Sequence, residues 1–493
     1  MSESLKILFT ASEVAPFAKT GGLADVAGAL PKALARLGHE VVLVMPRYYS
    51  IDRTTLEHLP GPLGVPMGTM GELWAGVYRT TLPGSEVPLY LIDYESFYGR
   101  SGLYTDERGF GYPDNDIRFT FLSKAAMQLA HRLGFHPDII HAHDWHTAPQ
   151  PVLRNTRFAD DELFRESATV LTIHNLQHQG IFDARIMEVL EVGREHYTPF
   201  ELEALGGVNF LKGGIAHADA ITTVSQKYAQ EIQTPEYGFG LQEHIRAHAH
   251  RLTGILNGVD YQEWSPAVDP LIPARYDVGA MEGKARCKAA LQRHFGLPEE
   301  PNVPLVGFVG RFAEQKGIGL IAGAMERLLH LGCQFVFLGT GEKWAEGFFS
   351  DVASRWPDRF ACHVGYSNAL AHRIEAGSDL FLMPSLFEPC GLNQIYSLRY
   401  GTLPIVRATG GLDDTIVNYD PQSGEGTGFK FWDATADALY HTLEWAVETY
   451  RNSREDYLGM QERGMKMRFD WERAAREYTR VYQEALTRRR GGE

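Results

Sequence analysis

The sequence predicts an α/β protein of two domains, each built on a parallel β-sheet covered by helices. Short apolar runs alternate with helical stretches in two separate series, which is the pattern of parallel sheets. The length of 493 residues suits two or three domains, and a hydrophobic content of 44% is enough for real cores. Turn-forming residues at 257–266 lie between the two series and place the predicted boundary near residues 255–270.

The first series forms the predicted N-terminal domain, residues 1–256. Its strands are short runs rich in Val, Ile and Leu, and several of them end at a polar or charged residue. The predicted strands are Lys6–Thr10, Val41–Met45, Ile139–Ala142, Ala168–Ile173 and Ile221–Val224.

The second series forms the predicted C-terminal domain, residues 257–470, and turns containing Gly or Pro follow most of its strands. A last segment, 471–493, is predicted to carry a helix over Trp471–Arg488. This helix either packs back against the first domain or completes the second, and the sequence leaves both open. The predicted strands are Val303–Val309, Phe335–Leu338, Leu380–Met383 and Leu403–Val406.

Composition excludes several kinds of partner and favours the cytoplasm. The formal net charge of −15 argues against nucleic acid and against an anionic membrane, because both require a broad positive surface. The four cysteines form no C-x-x-C pair, so neither a disulfide framework nor a zinc knuckle is expected. The start of the chain lacks the features of a signal peptide, and no apolar run approaches membrane-spanning length.

One short motif occurs twice, almost a whole chain apart. Thr20–Leu23 followed by Asp25 recurs as Thr409–Leu412 followed by Asp414. Paired glycines let the backbone approach a ligand, and N–H groups at the start of the following helix can hold a negatively charged oxygen. The duplication therefore predicts an anionic ligand, and the alternative is an ordinary turn before a helix at each place.

The predicted strand ends show where such a ligand would bind. In open parallel sheets, ligands bind beyond the carboxyl ends of the strands. Polar and glycine-rich segments follow five predicted strands directly, and we expect the functional residues among them. These segments are Lys19–Gly22, His143–His146, His174-Asn175, Gly310–Lys316 and Ser385–Gly391.

Several of these segments resemble the signatures of bacterial glycogen synthases and plant starch synthases, in the right order over nearly the whole chain. The resemblance implies the GT-B architecture, with two doubly wound Rossmann-like domains facing across a deep cleft. It also implies transfer of glucose from ADP-glucose to the non-reducing end of an α-1,4-glucan such as glycogen, with retention of configuration and without a cofactor or metal. The matching segments are Lys19–Val26, His174–Leu176, Gly310-Arg311, Gln315–Gly317 and Phe387–Leu392.

Such a reaction needs cations for the departing diphosphate and a negative group near the sugar, which becomes cation-like. Arg311 and Lys316 follow a strand five residues apart, so we expect both at one phosphate site, where fixed cations stabilise developing charge. The alternative is a solvated pair near a helix start. By resemblance, Glu388 favours positive charge on the sugar ring, and His174 positions the reacting carbon without acting as a nucleophile.

The resemblance also assigns binding residues. Lys19 is expected to meet the donor phosphate, whereas Asp25 either holds sugar hydroxyls or favours the helix start. Tyr396 stands where many enzymes of this architecture carry a ribose-binding Glu, so its ring is expected near the base or ribose. The predicted donor-binding residues are Lys19, Gly21, Gly22, Asp25, Asn257, Tyr366, Cys390, Gly391, Leu392, Tyr396, Thr409, Gly410 and Gly411, and the predicted sugar-binding residues are Asp144, Trp145 and His146.

Three alternatives remain open. A UDP-glucose-dependent glycosyltransferase would use the same phosphate site. A non-catalytic glucan-binding protein would use Trp145 and the aromatic segment 94–112 to stack on sugars. A metallohydrolase would use His141, His143 and His146 with Asp144 as ligands, although no distant ligand set completes that motif.

Overall fold

The computed structural model describes residues 4–491. The first three residues of the predicted N-terminal domain and the last two of the predicted segment 471–493 lie outside this range. In chain order, the strands are β1 (Lys6–Thr10), β2 (Glu40–Pro46), β3 (Glu57–His58), β4 (Leu63–Pro66), β5 (Glu72–Thr81), β6 (Pro88–Asp93), β7 (Ile139–His143), β8 (Ala168–Ile173), β9 (Ile181–Asp183), β10 (Glu203–Ala204), β11 (Gly207–Asn209), β12 (Ala220–Thr223), β13 (Leu252–Gly254), β14 (Leu305–Val309), β15 (Gln334–Gly339), β16 (Phe360–Val364), β17 (Leu380–Met383), β18 (Leu403–Arg407) and β19 (Phe429–Phe431).

Helices follow most of the strands. They are α1 (Gly22–Arg36), α2 (Glu95–Tyr98), α3 (Asn115–Leu133), α4 (Asp144–Thr147), α5 (Pro149–Asn155), α6 (Ile186–Leu190), α7 (Phe210–His217), α8 (Gln226–Glu231), α9 (Gln242–Ala247), α10 (Glu282–Phe295), α11 (Ile318–Leu329), α12 (Lys343–Arg355), α13 (Asn368–Gly377), α14 (Asn393–Arg399), α15 (Gly410–Thr415), α16 (Ala436–Asn452), α17 (Arg454–Lys466) and α18 (Trp471–Gly491). Short 3-10 turns lie at Arg53–Thr55, Gly68–Met70, Arg194–His196, Ala249–Arg251 and Glu314–Lys316.

The chain divides into two compact units. Unit 1 contains the described residues up to Val224, the segment Ala229–Gly258 and the segment from Trp471, while unit 2 contains Ser225–Tyr228 and Val259–Asp470. Among the described residues, no helix is both long and apolar enough to span a membrane.

The main sheet of unit 1 is parallel over most of its width. Its order is β13-β12-β8-β7-β1-β2-β6-β5-β3, with antiparallel pairing only from β6 outward, where β4 also pairs with β5. From the central β1, the chain proceeds outward through β2 and β6 on one side and through β7, β8 and β12 on the other. The strand order therefore reverses between β1 and β7, which makes this place the switch point where ligands bind in such sheets.

Unit 2 carries a six-stranded sheet in the order β16-β15-β14-β17-β18-β19, and all its pairs are parallel. Its order reverses between β14 and β17, so this sheet also has a single switch point. A continuous core formed by β14, β15, β17 and β18 with α11, α12 and α16 supports the sheet, and it includes the fully buried Phe335, Phe337 and Phe349.

The last helix, α18, packs within unit 1. Its buried face repeats at helical spacing through Ala474, Tyr478, Val481 and Ala485, as expected for an amphipathic helix. Polar contacts fix its register, because Tyr482 Oη lies 2.9 Å from His141 Nδ1 on β7. Helix α18 thus adds a layer to the first unit, although it follows the second in the sequence.

The predicted parallel strands are confirmed. Lys6–Thr10, Ala168–Ile173 and Leu380–Met383 have the predicted bounds, and the others differ by at most two residues at an end. Continuous apolar runs of this kind are typical of strands buried on both faces. The structure adds the antiparallel edge, β3 to β6, and a small antiparallel sheet in the order β10-β11-β9, neither of which the sequence predicted.

Candidate active site

The predicted site residues of unit 1 gather at its switch point. The loop with Lys19, Gly21 and Gly22 follows β1, and the turn Asp144–Thr147 follows the neighbouring β7. Because the two strands are parallel neighbours, their carboxyl ends open to the same edge of the sheet. Strand β8, next to β7, ends directly before His174.

An internal carboxylate organises the loop after β1. Glu13 is buried, and its Oε2 accepts hydrogen bonds from the N–H and hydroxyl of Thr20, at 2.5 and 2.8 Å. Burial is the largest cause that raises the pKa of Glu13 to about 7, and these hydrogen bonds oppose it. Lys19 pairs with Asp25 at 2.6 Å, with about half of the lysine side chain exposed. Lys19 is therefore held at the surface by a weak ion pair.

Asp144 adopts a backbone conformation that is unusual for a residue with a side chain, with φ at 51°. Its Oδ1 accepts the main-chain N–H groups of His174 at 2.7 Å and Asn175 at 3.4 Å, so it ties the end of β7 to the loop after β8. Burial raises its pKa to about 7. The structure therefore gives Asp144 a role in positioning His174, in addition to the sugar binding that the resemblance implies.

Trp145 is packed inside unit 1. Its ring contacts His146 at 4.1 Å and meets the edge of Phe119 at 5.1 Å between ring centroids. A Cβ at Gly180, where φ is +65°, would lie 2.6 Å from the indole, so only glycine fits there. Trp145 is 8% exposed, which disfavours the stacking on sugars that the non-catalytic alternative requires of it. Tyr104 stacks on His146 in the same cluster.

The histidines of β7 make protein contacts that compete with metal binding. His141 Nε2 lies 2.7 Å from Thr172 Oγ1 and its Nδ1 lies 2.9 Å from Tyr482 Oη, so both ring nitrogens are engaged. His143 Nδ1 lies 3.0 Å from His174 Nε2. A metal at this strand would have to break these contacts, which disfavours the metallohydrolase alternative.

A different group in the described part of unit 1 brings three metal-ligating atoms within 4.8 Å of one another: His196, Glu201 and His217. Glu201 Oε2 lies 2.7 Å from His196 Nδ1 and 2.8 Å from His217 Nε2, which are hydrogen-bond lengths. The group contains none of the predicted site residues.

In unit 2 the predicted catalytic residues follow the two strands at the switch point. Arg311 and Lys316 follow β14, Glu388 follows the adjacent β17, and Lys316 Nζ lies 2.6 Å from Glu388 Oε2. Ser385 donates its hydroxyl to the same oxygen at 2.9 Å. Glu388 is 6% exposed, whereas Arg311 is exposed and contacts Gln315 at 3.0 Å. The half-buried lysine and the buried carboxylate thus form one polar centre.

Main-chain contacts explain why these two loops meet. The N–H of Leu386 donates to the carbonyl of Gln315 at 2.8 Å, which joins the turn before α11 to the loop after β17. Gly317 has φ +73°, and a Cβ there would lie 2.0 Å from the carbonyl oxygen of Pro384. Only glycine allows this approach, so close packing against Pro384 explains why position 317 is a glycine.

A cavity of about 90 Å³ opens at this centre. The sequence placed Ser385 in an expected functional segment but did not predict the strand residues that line the cavity, because the sheet and not a local motif sets their neighbours. The cavity is lined by Phe308, Val309, Gly310, Lys316, Leu382, Met383, Ser385, Glu388, Gly391, Leu392 and Asn393. A larger cavity, about 250 Å³, is lined by Pro273, Leu291 and Arg373 among others and contains none of the predicted site residues.

The second Thr-Gly-Gly copy is built differently from the first. Gly410 and Gly411 are buried, and a Cβ on them would lie 2.0 and 1.9 Å from the carbonyl oxygens of Glu388 and Cys390. The N–H of Gly411 donates to the carbonyl of Glu388 at 3.0 Å. In the first copy Gly21 and Gly22 are exposed. The two copies therefore differ in their surroundings, because the second pair packs against the Glu388 loop, and the anionic ligand stays a prediction.

The remaining predicted donor residues differ in exposure. Tyr366 is 83% exposed, while Tyr396 stacks on Trp264 with ring centroids 3.9 Å apart and an angle of 6°. Cys390 and Thr409 are buried in unit 2. In unit 1, Asn257 is buried, and its Oδ1 has no hydrogen-bond partner among the residues that the structure describes.

Two family models cover most of the chain. Residues 6–247 match the starch synthase catalytic domain, and residues 291–464 match glycosyl transferases group 1. The chain is 54% identical over 489 residues to glycogen synthase 1 of Geobacter sulfurreducens, covering 99% of this chain and 97% of that protein. It is 45% identical over 493 residues to the glycogen synthase of Moorella thermoacetica, covering 99% of both.

Solved structures show the same fold. The catalytic domain of starch synthase IV from Arabidopsis thaliana, bound to ADP and acarbose, matches with a TM-score of 0.90 and 33% identity over 99% of this chain and 100% of that one. Sucrose-phosphate synthase from Thermosynechococcus elongatus, at 16% identity, matches with a TM-score of 0.58 over 97% and 98%, which supports the fold alone. The protein is a glycosyltransferase of the GT-B architecture. Within that class, it belongs to the family of glycogen and starch synthases.

Proposed function

We propose that the protein transfers glucose from ADP-glucose to the non-reducing end of an α-1,4-glucan, with retention of configuration. The observation that carries the proposal is the pair of Lys316 and Glu388, 2.6 Å apart beside a cavity at the switch point of unit 2. A nucleotide-sugar donor brings a diphosphate and a sugar ring to one place. Lys316 offers a cation to the diphosphate, and Glu388 offers a carboxylate to the sugar ring.

The chemistry assigns each group a task. Cleavage of the bond between the glucose carbon and the phosphate oxygen leaves negative charge on ADP, which Lys316 and Arg311 stabilise. The sugar becomes cation-like, and the ionised Glu388 favours that charge. We propose that Lys19 binds the donor phosphate and that His174 positions the reacting carbon, and we assign the glucan side of the reaction to unit 1 and the nucleotide side to unit 2.

Retention is proposed to follow from substitution on one face of the sugar. A double displacement would need a free carboxylate beneath the reacting carbon. The two buried carboxylates at the unit 1 switch point, Glu13 and Asp144, already accept main-chain N–H groups, which supports their use in positioning. The departing phosphate is then the group that takes the proton from the glucan hydroxyl.

An assay with glycogen as acceptor and either ADP-glucose or UDP-glucose as donor tests the proposal. It measures the release of the nucleoside diphosphate and the extension of the glucan chain together. We expect equal amounts of both, faster with ADP-glucose, and newly formed linkages in the α configuration. Faster turnover with UDP-glucose would overturn the donor assignment, and diphosphate release without extension would indicate hydrolysis. Glucan binding without turnover would favour the non-catalytic alternative, and loss of activity with a chelator would favour the metal alternative.

We propose that the reaction takes place in the cytoplasm. The four cysteines are free thiols, and three of them, Cys287, Cys333 and Cys390, are buried, which suits a reducing compartment. Fractionation of cells into cytoplasm and membrane, followed by the transfer assay, tests this assignment. Activity that sediments with the membrane would contradict it.

A further inference from the structure

We infer that His143 is a positioning residue for His174. Through one buried hydrogen bond it couples the tautomer of His174 to its own, and it leaves Nδ1 as the nitrogen available to a ligand. The catalytic meaning of this contact rests on the proposed function of His174. The contact itself lies wholly within unit 1 and can be tested in the free protein.

The geometry defines a single contact between the two imidazoles. His143 is the last residue of β7, and His174 follows β8, the next strand in the sheet. Nδ1 of His143 lies 3.0 Å from Nε2 of His174, and the two rings are stacked 5.3 Å apart at an angle of 29°. At this distance one proton lies between the two nitrogens.

Packing holds the His143 ring in place. The residue is fully buried, with the rings of Phe9 and His141 at 4.2 and 4.1 Å between centroids. Its main-chain N–H donates to Thr147 Oγ1 at 2.6 Å. A side chain enclosed in this way has little rotamer freedom, so the direction of Nδ1 toward His174 is determined by the sheet itself.

His174 is fixed independently at its main chain. Its N–H donates to Asp144 Oδ1 at 2.7 Å, so the loop after β8 is held from one side by Asp144 and the ring from the other by His143. Asp144 and His143 are adjacent in the chain, at the end of β7. One short segment therefore orients both the backbone and the ring of His174.

The contact has a chemical consequence. Burial lowers the pKa of His143 well below its ordinary value and lowers that of His174 to about 3, so both rings are neutral near pH 7. Two neutral imidazoles share one proton at the contact, and the tautomer of each ring then follows from that of the other. With Nε2 engaged, His174 meets a sugar through Nδ1, as a neutral group of fixed hydrogen-bonding character.

Asparagine and glutamine at position 143 separate this role from simple packing. The side-chain amide of Asn reaches the place of Nδ1 and can donate or accept, whereas the amide of Gln extends to the place of Nε2. We expect His143→Asn to keep kcat within about threefold of the unsubstituted protein. His143→Gln and His143→Leu should lower kcat by roughly tenfold or more, with little change in KM for ADP-glucose, because a misplaced group costs rate before binding.

Selective ¹⁵N labelling of histidine gives a readout that does not depend on activity. The His174 signals, identified by their loss in His174→Asn, should show one protonated and one bare nitrogen without averaging. In His143→Leu the two signals should move toward an average of both tautomers, and in His143→Asn they should stay separate. His39→Asn is the matched control, because His39 is also buried in unit 1 but contacts Leu5 and Thr479.

The kinetic and the NMR measurements can each contradict the inference. The inference would be overturned if the His174 signals were unchanged in His143→Leu and this variant still showed a cooperative thermal unfolding transition. Equal kcat values for the Asn, Gln and Leu variants would also overturn it. If the unsubstituted protein transferred no glucose while its His174 kept a single tautomer, the proposed function would fail and the positioning contact would stand.

Discussion

Replacement of Glu13 by glutamine is expected to remove a pH-dependent loss of stability from unit 1. Glu13 is 3% exposed and accepts both Thr20 hydrogen bonds through a single oxygen, Oε2. The amide oxygen of glutamine can accept the same two bonds, and the amide carries no charge at any pH. The substitution thus removes the ionisation and preserves the shape of the loop.

The magnitude follows from the pKa. Burial raises the pKa of Glu13 from 4.5 to about 7 in the folded protein. Between these two values the folded chain keeps a proton that the unfolded chain has lost, so stability falls as the pH rises through this window and is constant above it. A difference of about 2.5 pKa units, at 1.36 kcal/mol each, corresponds to about 3 kcal/mol.

Urea unfolding at pH 5 and pH 8 measures the effect. The free energy of unfolding of Glu13→Gln, relative to the unsubstituted protein, should increase by about 2.5 kcal/mol from pH 5 to pH 8, because the unfolded glutamate is already mostly ionised at pH 5. All other titrating groups are common to both proteins and cancel in this difference. Glu86→Gln, at an exposed position, is the control and should show no such increase. The same pH dependence for Glu13→Gln and the unsubstituted protein would refute the reasoning.

Four further substitutions test the candidate site and the last helix. Lys19→Ala should raise KM for the donor with an unchanged melting temperature, since the lysine is half exposed. Lys316→Met should lower kcat on the order of 10²-fold, measured by ADP release; an effect confined to glucan affinity would exclude a leaving-group role. Glu388→Gln should lose turnover while calorimetry still detects ADP binding. Arg489→Met removes the 2.8 Å contact with Asp219 and should lower the free energy of unfolding by roughly 1–3 kcal/mol, measured by thermal unfolding. An unchanged melting temperature would show that this contact does not stabilise the protein.

The sequence predicted the parallel strands well because each is buried on both faces and reads as an apolar run. Strand β8, for example, has all six residues buried. Strand β5 was not predicted, because its burial alternates irregularly and charged or small residues interrupt the apolar pattern. Strand β16 loses burial along its length toward His363 and Val364, which weakens the same signal. Edge strands depend on neighbours that a single sequence does not reveal.

The site was predictable where motifs follow strand ends, and less so where contacts join distant loops. Lys316 and Glu388 both followed from the resemblance, but their ion pair depends on main-chain contacts between loops 72 residues apart. Glu13 carries no local signal beyond its place after β1, and its role emerges only when Thr20 folds back onto it. The sequence shows His143 only as one of several clustered histidines. Its contact with His174 depends on the order of the strands in the sheet, which no local motif reveals.

Each switch point holds one lysine paired with one carboxylate at 2.6 Å, Lys19 with Asp25 and Lys316 with Glu388. The two pairs differ in burial, with side-chain exposures of 51% and 28% in the first and 23% and 8% in the second. An exposed pair is worth little, so Lys19 can leave Asp25 for a phosphate at small cost. Separating the second pair would leave an unpaired buried charge at Glu388, which costs free energy.

We therefore expect Lys316 to keep its place when a donor binds and Lys19 to move. Accordingly, loss of Lys19 should affect mainly donor binding, and loss of Lys316 the rate of the chemical step.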